Sequence, residues 1–293
     1  MKIPLKYKDR RDQGDTVLRQ CQLVQLHLLH VFRSICEENN LQYFLSGGSL
    51  LGAIRHNGFI PWDDDADVGM PIKDYRKFLK IAEDYLPKDV VLQTKQKVPG
   101  CVFTWSKLRD AYSFYAEFNR GLSMADLNGI FIDVIPYYPL PSLGVCLTDK
   151  LVAISKKAHF IARCLRVSGR KGMLGALFGA WVSLPFYTIN KVIHFVFWLV
   201  GLVQKPEFLY YDIDNLTRAK QLSYKAYFPL GKHVFEDGEF SVAGNAERAL
   251  TEEFGDWRTP PPLEKIKEES HALMILPFQA VMVPGAMKLK ERI

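Results

Sequence analysis

Four aspartates occupy five positions in the run Trp62-Asp63-Asp64-Asp65-Ala66-Asp67-Val68. In an extended chain alternate side chains share a face. Asp63, Asp65 and Asp67 then point one way, while Asp64 joins Ala66 and Val68 on the other. Neighbours on one face lie about 6.7 Å apart, and at an effective dielectric of 20 each like-charge pair costs roughly 2.5 kcal/mol. Two such pairs amount to a large share of a domain's net stability. The carboxylates must therefore be solvated, partly protonated, or gathered around a cation. Donors that are all oxygen suit a hard ion, Mg²⁺ or Mn²⁺.

A second group precedes the run. Ser46-Gly47-Gly48-Ser49 reads as a turn opening a short helix over Leu50 to His56, with Ser49 sixteen positions before Asp65. Backbone N–H groups exposed at such a turn can hold a phosphate. A glycine-serine turn followed by alternating Asp and apolar residues resembles the pattern of the nucleotidyltransferase superfamily, whose third carboxylate comes from a later central strand. Asp133 supplies a candidate within Gly129-Ile130-Phe131-Ile132-Asp133-Val134-Ile135. An Asp amid apolar strand residues is costly unless paired or metal-bound; its alternative reading is a capping or salt-bridged Asp at a strand end.

The elements that must position these residues follow from periodicity. Asp15 to Asn39 predicts a long amphipathic helix, with Leu18, Leu23, Leu26, Leu29, Phe32 and Cys36 near helical spacing. His27 and His30 on that helix read as structural. Gln42 to Leu45 predicts a strand. Pro61-Trp62 opens the acidic run as extended chain, and Ala66 to Met70 continues it as a strand. Pro71 suits the start of a helix ending near Leu86-Pro87. Val90 to Thr94, Val102 to Leu108, Ser113 to Phe118 and Ile130 to Ile135 read as strands, ended by Pro136 and Pro139. The second half reads as mostly helical until Phe235, with a short helix over Glu247 to Phe254 and a proline-rich loop over Gly255 to Pro262. Interleaved strands and helices define an α/β or α+β class.

Composition bounds the alternatives. The chain has 293 residues, 48% hydrophobic and 24% charged, which excludes disordered, collagen-like and coiled-coil chains. Five cysteines without a Cys-x-x-Cys pair argue against a disulfide framework or a cysteine zinc site. The polar N-terminus has no apolar core of a signal peptide. Net charge is +6, yet the stretch from Lys150 to Lys205 alone carries nine bases and no acid. The chain is thus not uniformly basic, and no nucleic-acid partner is expected.

The stretch from Leu45 to Val68, Leu-Ser-Gly-Gly-Ser-Leu-Leu-Gly-Ala-Ile-Arg-His-Asn-Gly-Phe-Ile-Pro-Trp-Asp-Asp-Asp-Ala-Asp-Val, closely resembles the signature of the LicD family. Weaker resemblances follow in Lys107-Leu108-Arg109-Asp110, in Phe131-Ile132-Asp133-Val134-Ile135-Pro136, and between Leu250 and Pro262. Together they cover about residues 20 to 271. The family includes bacterial phosphocholine transferases and resembles fukutin-type ribitol-phosphate transferases. The resemblance implies a nucleotidyltransferase-like α/β (α+β) fold, a mixed-sheet core with a helical insert and a C-terminal lobe. It implies Mg²⁺-dependent transfer of a phospho-alcohol, phosphocholine by default, from a CDP-alcohol donor to a hydroxyl of a glycan or its lipid-linked precursor, with release of CMP. The resemblance further implies Asp63, Asp65, Asp67 and Asp133 as metal ligands, Asp133 also taking the acceptor's proton. Gly47, Gly48 and Ser49 are implied to hold donor phosphate, and Arg55, Lys107 and Arg109 to neutralise diphosphate charge. Each of these bases is otherwise a solvated surface charge, and His56 reads as a phosphate donor or a structural hydrogen bond. Trp62 is expected to pack below the site. Two other readings remain: a nucleotidyltransferase that uses an NTP and releases pyrophosphate, and a non-catalytic membrane-associated partner in glycan assembly.

The organisation expected is a catalytic core over 1–145, a basic, apolar helical insert over 146–225, and a C-terminal lobe over 226–293. Gly172 to Asn190 lacks charge and is long enough to be considered as a span, although Pro185 and three glycines weaken it. The insert reads as a buried helical hairpin, a transmembrane hairpin or a surface that docks on an anionic membrane. Docking agrees best with the chemistry and places the protein in the cytoplasm, peripheral to the membrane's inner face.

Overall fold

The structure is a computed structural model that describes residues 8–94, 97, 105–117, 128–141, 205–211, 220–262, 264 and 272–278. Helices and strands combine in an α+β arrangement, as expected. Two compact units divide the chain. One comprises Met1–Pro136 with Ala226–Ile293, and the other Tyr137–Lys225.

The first unit is built around helix α1, Val17–Glu38. Thr16 caps it, its side chain accepting from the Arg19 N–H at 3.1 Å, which satisfies one orphan donor of the first turn. The helix forms where it was expected, and its middle is buried on every face. Every residue from Cys21 to Phe32 is buried, so its polar members need partners inside the protein. They have them: His27 Nε2 lies 3.1 Å from Asp89 and His30 Nε2 2.7 Å from Asp237, so both histidines are structural.

Around α1 lie β1 (Phe44–Leu45), α2 (Gly47–His56), β2 (Asp67–Pro71), α3 (Ile72–Tyr85), β3 (Val90–Gln93), β4 (Ser106–Asp110) and β5 (Phe114–Glu117). Next comes β6, Phe131–Leu140. In this unit the sheet order is β1-β2-β6-β4-β3. The β4–β6 pairing is antiparallel and sets Lys107 opposite Asp133 and Arg109 opposite Phe131. Helix α2 begins at the glycines themselves, three residues before the predicted start, because Gly47 adopts φ +54° and turns the chain directly into the helix.

Strand β6 does not end at its prolines. It pairs with β4 over 131–134 and, within the second unit, with β7 (Phe208–Tyr211) over 137–140. Pro136 falls between the two ladders, where its missing N–H costs no bond. The second unit continues with β8 (Lys220–Ser223), antiparallel to β7. The segment 205–235 was expected to be helical and instead carries strands, including β9 (Gly231–Phe235) of the first unit. Its Phe208-Leu209-Tyr210-Tyr211 run is fully apolar or aromatic, which periodicity alone does not assign to helix or strand.

The first unit is completed by the hairpin of β9 with β10 (Gly238–Val242), helix α4 (Ala246–Phe254) and β11 (Ala272–Leu276), which pairs antiparallel with β5. The basic segment expected to dock on a membrane, 150–205, lies outside the described residues except for Lys205. Among the described residues no helix is long and apolar enough to cross a membrane.

Candidate active site

The acidic run approaches α2 from its N-terminal end. Only Asp67 belongs to β2, and Asp63 to Ala66 lie outside any strand, a shorter strand than predicted. The alternation survives without a ladder. Asp64, Ala66 and Val68 are buried at 2%, 0% and 0% exposure, while Asp63, Asp65 and Asp67 are intermediate. Asp64 turns inward and accepts from the Ala272 N–H of β11 at 3.1 Å.

The glycines of α2 face two of the carboxylates. A Cβ added to Gly48 would lie 2.8 Å from Asp63 Oδ2, and one added to Gly47 would lie 3.2 Å from Asp67 Oδ2. The first helical amides are orphans of the intrahelical ladder and carry the positive end of the helix dipole. The position is thus favourable to anions, and the carboxylates already stand beside it. Ser49 was expected to hold phosphate. It is buried, and its Oγ accepts from the Asp67 N–H at 2.8 Å. Its role here is to tie the start of β2 to α2.

Asp133 reaches the same place from β6, its N–H donating to Ala66 O at 2.9 Å. Lys107 Nζ lies 3.0 Å from Asp133 Oδ1 and 3.3 Å from the centre of the Phe131 ring. Burial raises the pKa of Asp67 well above the carboxylate range, aided by the charges of Asp65, Asp133 and Asp63 and opposed by Lys107. The four sequence-predicted carboxylates therefore share one electrostatic neighbourhood that attracts positive charge. That neighbourhood and its hard oxygen donors fit a divalent cation such as Mg²⁺. Among the described residues no three His, Cys, Asp or Glu side chains already stand at metal-ligand spacing, so the carboxylates would have to close on the ion.

Two predicted phosphate ligands are engaged elsewhere. Arg55 lies in the last turn of α2, about 10 Å along the axis from Gly48. Its guanidinium donates to Trp257 O and to His56 Nε2, both at 2.9 Å, and lies over the Trp62 ring. Burial and the Arg55 charge lower the His56 pKa. Trp62 packs edge-on to His56, with ring centres 6.3 Å apart. Arg109 is 2% exposed and donates to Gln93 and to Gly129 O. Neither Lys107 nor Arg109 is a solvated surface charge.

The sequence reading missed three supporting residues. Gln22 Nε2 donates to Ile60 O at 3.2 Å and Asp63 O at 3.0 Å, and Gln25 Nε2 to Asp64 O at 2.7 Å. Their signal was two polar residues one turn apart inside an apolar helix. Glu236, in the β9–β10 turn at φ +55°, receives both Arg19 guanidinium nitrogens at 2.9 and 2.6 Å, and the Phe59 N–H at 3.2 Å. No local pattern announces it.

Residues 40–164 match the family described as LicD/FKTN/FKRP, nucleotidyltransferase domain. The chain is 29% identical over 269 residues to the lipopolysaccharide cholinephosphotransferase LicD of Haemophilus influenzae, across 85% of this chain and 94% of that protein. It is also 29% identical over 105 residues to the human ribitol 5-phosphate transferase FKRP, as to the mouse protein, covering 36% of this chain but only 18% of FKRP. These relatives are named as phosphotransferases, which supports a transferase for this chain. Over residues 40–164 it is similar to the LicD family.

Proposed function

We propose that this protein transfers a phospho-alcohol group from a CDP-alcohol to a hydroxyl of a glycan or its lipid-linked precursor, releasing CMP. The observation that carries the reading is the convergence of Asp63 and Asp67 on the glycines that open α2, with Asp133 arriving from β6. The relatives named for cholinephosphate and ribitol 5-phosphate transfer support it.

Asp63, Asp65, Asp67 and Asp133 would hold Mg²⁺, or Mn²⁺ in its place. When bound, the metal supplies Lewis acidity toward the donor phosphate and eases deprotonation of the acceptor hydroxyl. The chain's own residues do the rest. The Gly47 and Gly48 amides orient the donor's phosphate oxygens. Asp133 accepts the proton of the acceptor hydroxyl. Lys107 keeps Asp133 in place and offsets phosphate charge. Arg55 and Arg109, held by their own partners, shape the flanks of the site.

Phosphocholine is the first donor group to test, followed by ribitol and glycerol phosphates. The basic stretch 150–205 is proposed to hold the protein on an anionic inner membrane face, near lipid-linked acceptors. Failure to sediment with anionic vesicles would remove that part.

The deciding measurement is thermal stabilisation by CDP-choline, CDP-ribitol, CDP-glycerol, CMP and the four NTPs, each with Mg²⁺ and with EDTA. Magnesium-dependent stabilisation by one CDP-alcohol is expected. Stabilisation by an NTP alone would replace this reading with nucleotidyl transfer.

A further inference from the structure

We infer that Gln22 and Gln25 of α1 are positioning residues for the metal-binding face of the acidic run, an inference that rests on the proposed metal-dependent transfer. The run from Asp63 to Ala66 has no strand ladder, so its shape must be imposed by other bonds. Gln25 donates to Asp64 O at 2.7 Å and Gln22 to Asp63 O at 3.0 Å. A peptide unit is planar. Fixing the Asp63 carbonyl therefore fixes the peptide plane between Asp63 and Asp64, and fixing the Asp64 carbonyl fixes the plane between Asp64 and Asp65. Two consecutive planes are pinned, and with them the φ and ψ of Asp64 that lie between.

The side chain of Asp64 is pinned as well, by the Ala272 N–H. The residue between the two outward carboxylates is thus held by its backbone on both sides and by its side chain from behind. The directions in which Asp63 and Asp65 leave the chain follow from that. Gln22 extends the grip to Ile60 O at 3.2 Å, before the run begins.

The choice of amide is chemically informative. Lysine or arginine could donate the same bonds, but each would place a full positive charge behind the carboxylates. That charge would compete with a cation for the same field. Glutamine supplies the donors and leaves the negative potential intact. Both side chains are buried, at 4% and 0% exposure, so the bonds are shielded from exchange with water. Groups that orient metal ligands from outside the coordination shell affect affinity by about 10- to 100-fold.

The test is Mn²⁺ binding to the full chain, followed by calorimetry well below the metal-free melting point of each protein. Gln22→Met and Gln25→Met keep side-chain length and remove the donors. Both are expected to weaken Mn²⁺ binding about tenfold. Leu29→Ala is the control: Leu29 is fully buried on the same helix, so the change lowers stability without removing a bond to the run, and Mn²⁺ affinity is expected to stay at the wild-type value. If Gln25→Met does not fold, Gln22→Met, at the margin of the run, carries the test. Wild-type affinity in the glutamine variants, or an equal loss in Leu29→Ala, overturns the inference alone. A wild-type protein that binds no Mn²⁺ overturns the metal reading and this inference with it.

Discussion

Lys107 and Asp133 face each other across β4 and β6, the ammonium 3.0 Å from a carboxylate oxygen and packed on the Phe131 ring. The lysine is 2% exposed, so its charge is one the fold cannot hold without a partner. Its charge opposes the burial and the neighbouring carboxylates that raise the Asp67 pKa. Lys107→Met would leave Asp133 uncompensated, and a loss of about 3 kcal/mol is expected. Urea unfolding in EDTA measures it. Added Mg²⁺ should recover part of the loss, and an unchanged midpoint would show that the pair is not structural.

The raised pKa of Asp67 predicts a pH dependence of fixed sign. Its folded value lies well above the ordinary 3.8, so the folded state favours the protonated form. The destabilising contribution is absent below about 3.8 and grows as pH rises through the folded value. Metal-free wild type should therefore lose stability relative to Asp67→Asn as pH increases across that window, and the two should converge at the acid end. Urea midpoints over a pH series in EDTA read the difference. A divalent cation is expected to shrink it.

Asp64 should behave unlike its neighbours. Asp64→Ala removes the acceptor of the Ala272 N–H and should cost about 1–3 kcal/mol while leaving Mg²⁺-dependent activity measurable at low temperature. Asp65→Asn should do the reverse, sparing stability and abolishing activity. Loss of activity in both with intact folding would mean that the alternation does not divide their roles.

Gly48→Ala separates fold from site in another way. Alanine is the better helix former by up to about 1 kcal/mol, so stability should hold or rise. Its Cβ, however, would stand 2.8 Å from Asp63 Oδ2 and displace that carboxylate. A displacement of that order costs about 10- to 100-fold in rate. Steady-state transfer with a CDP-alcohol found to bind is the assay, and full activity would remove Asp63 from the site.

The acidic run, the glycine turn and Asp133 were legible because each breaks a local rule: like charges in sequence, glycine at a helix start, a carboxylate in an apolar strand. α1 was legible as a helix, but its burial on every side was not, because that depends on what packs around it. The course of β6 through Pro136 and Pro139 was hidden for a related reason. A proline ends a strand only where a ladder bond is needed, and that is decided by partners far along the chain. Arg55 and Arg109 looked like free cations because their partners, Trp257, Gln93 and Gly129, leave no mark near them in the sequence. Glu236 escaped notice likewise, being a turn residue that acts on a segment almost 180 positions earlier.

The family match begins at residue 40, yet the unit that contains the site draws on Met1–Pro136 and on Ala226–Ile293. The family-domain match and the cooperative unit therefore have different borders in this molecule. The bonds that shape the acidic run come from α1, before the match, and Glu236 clamps the turn ahead of that run from well after it. Amide protons of α1, of the Asn57–Phe59 turn and of the β9–β10 hairpin should consequently exchange as one group under native conditions. A fragment cut to the matched boundaries would lose its protection throughout.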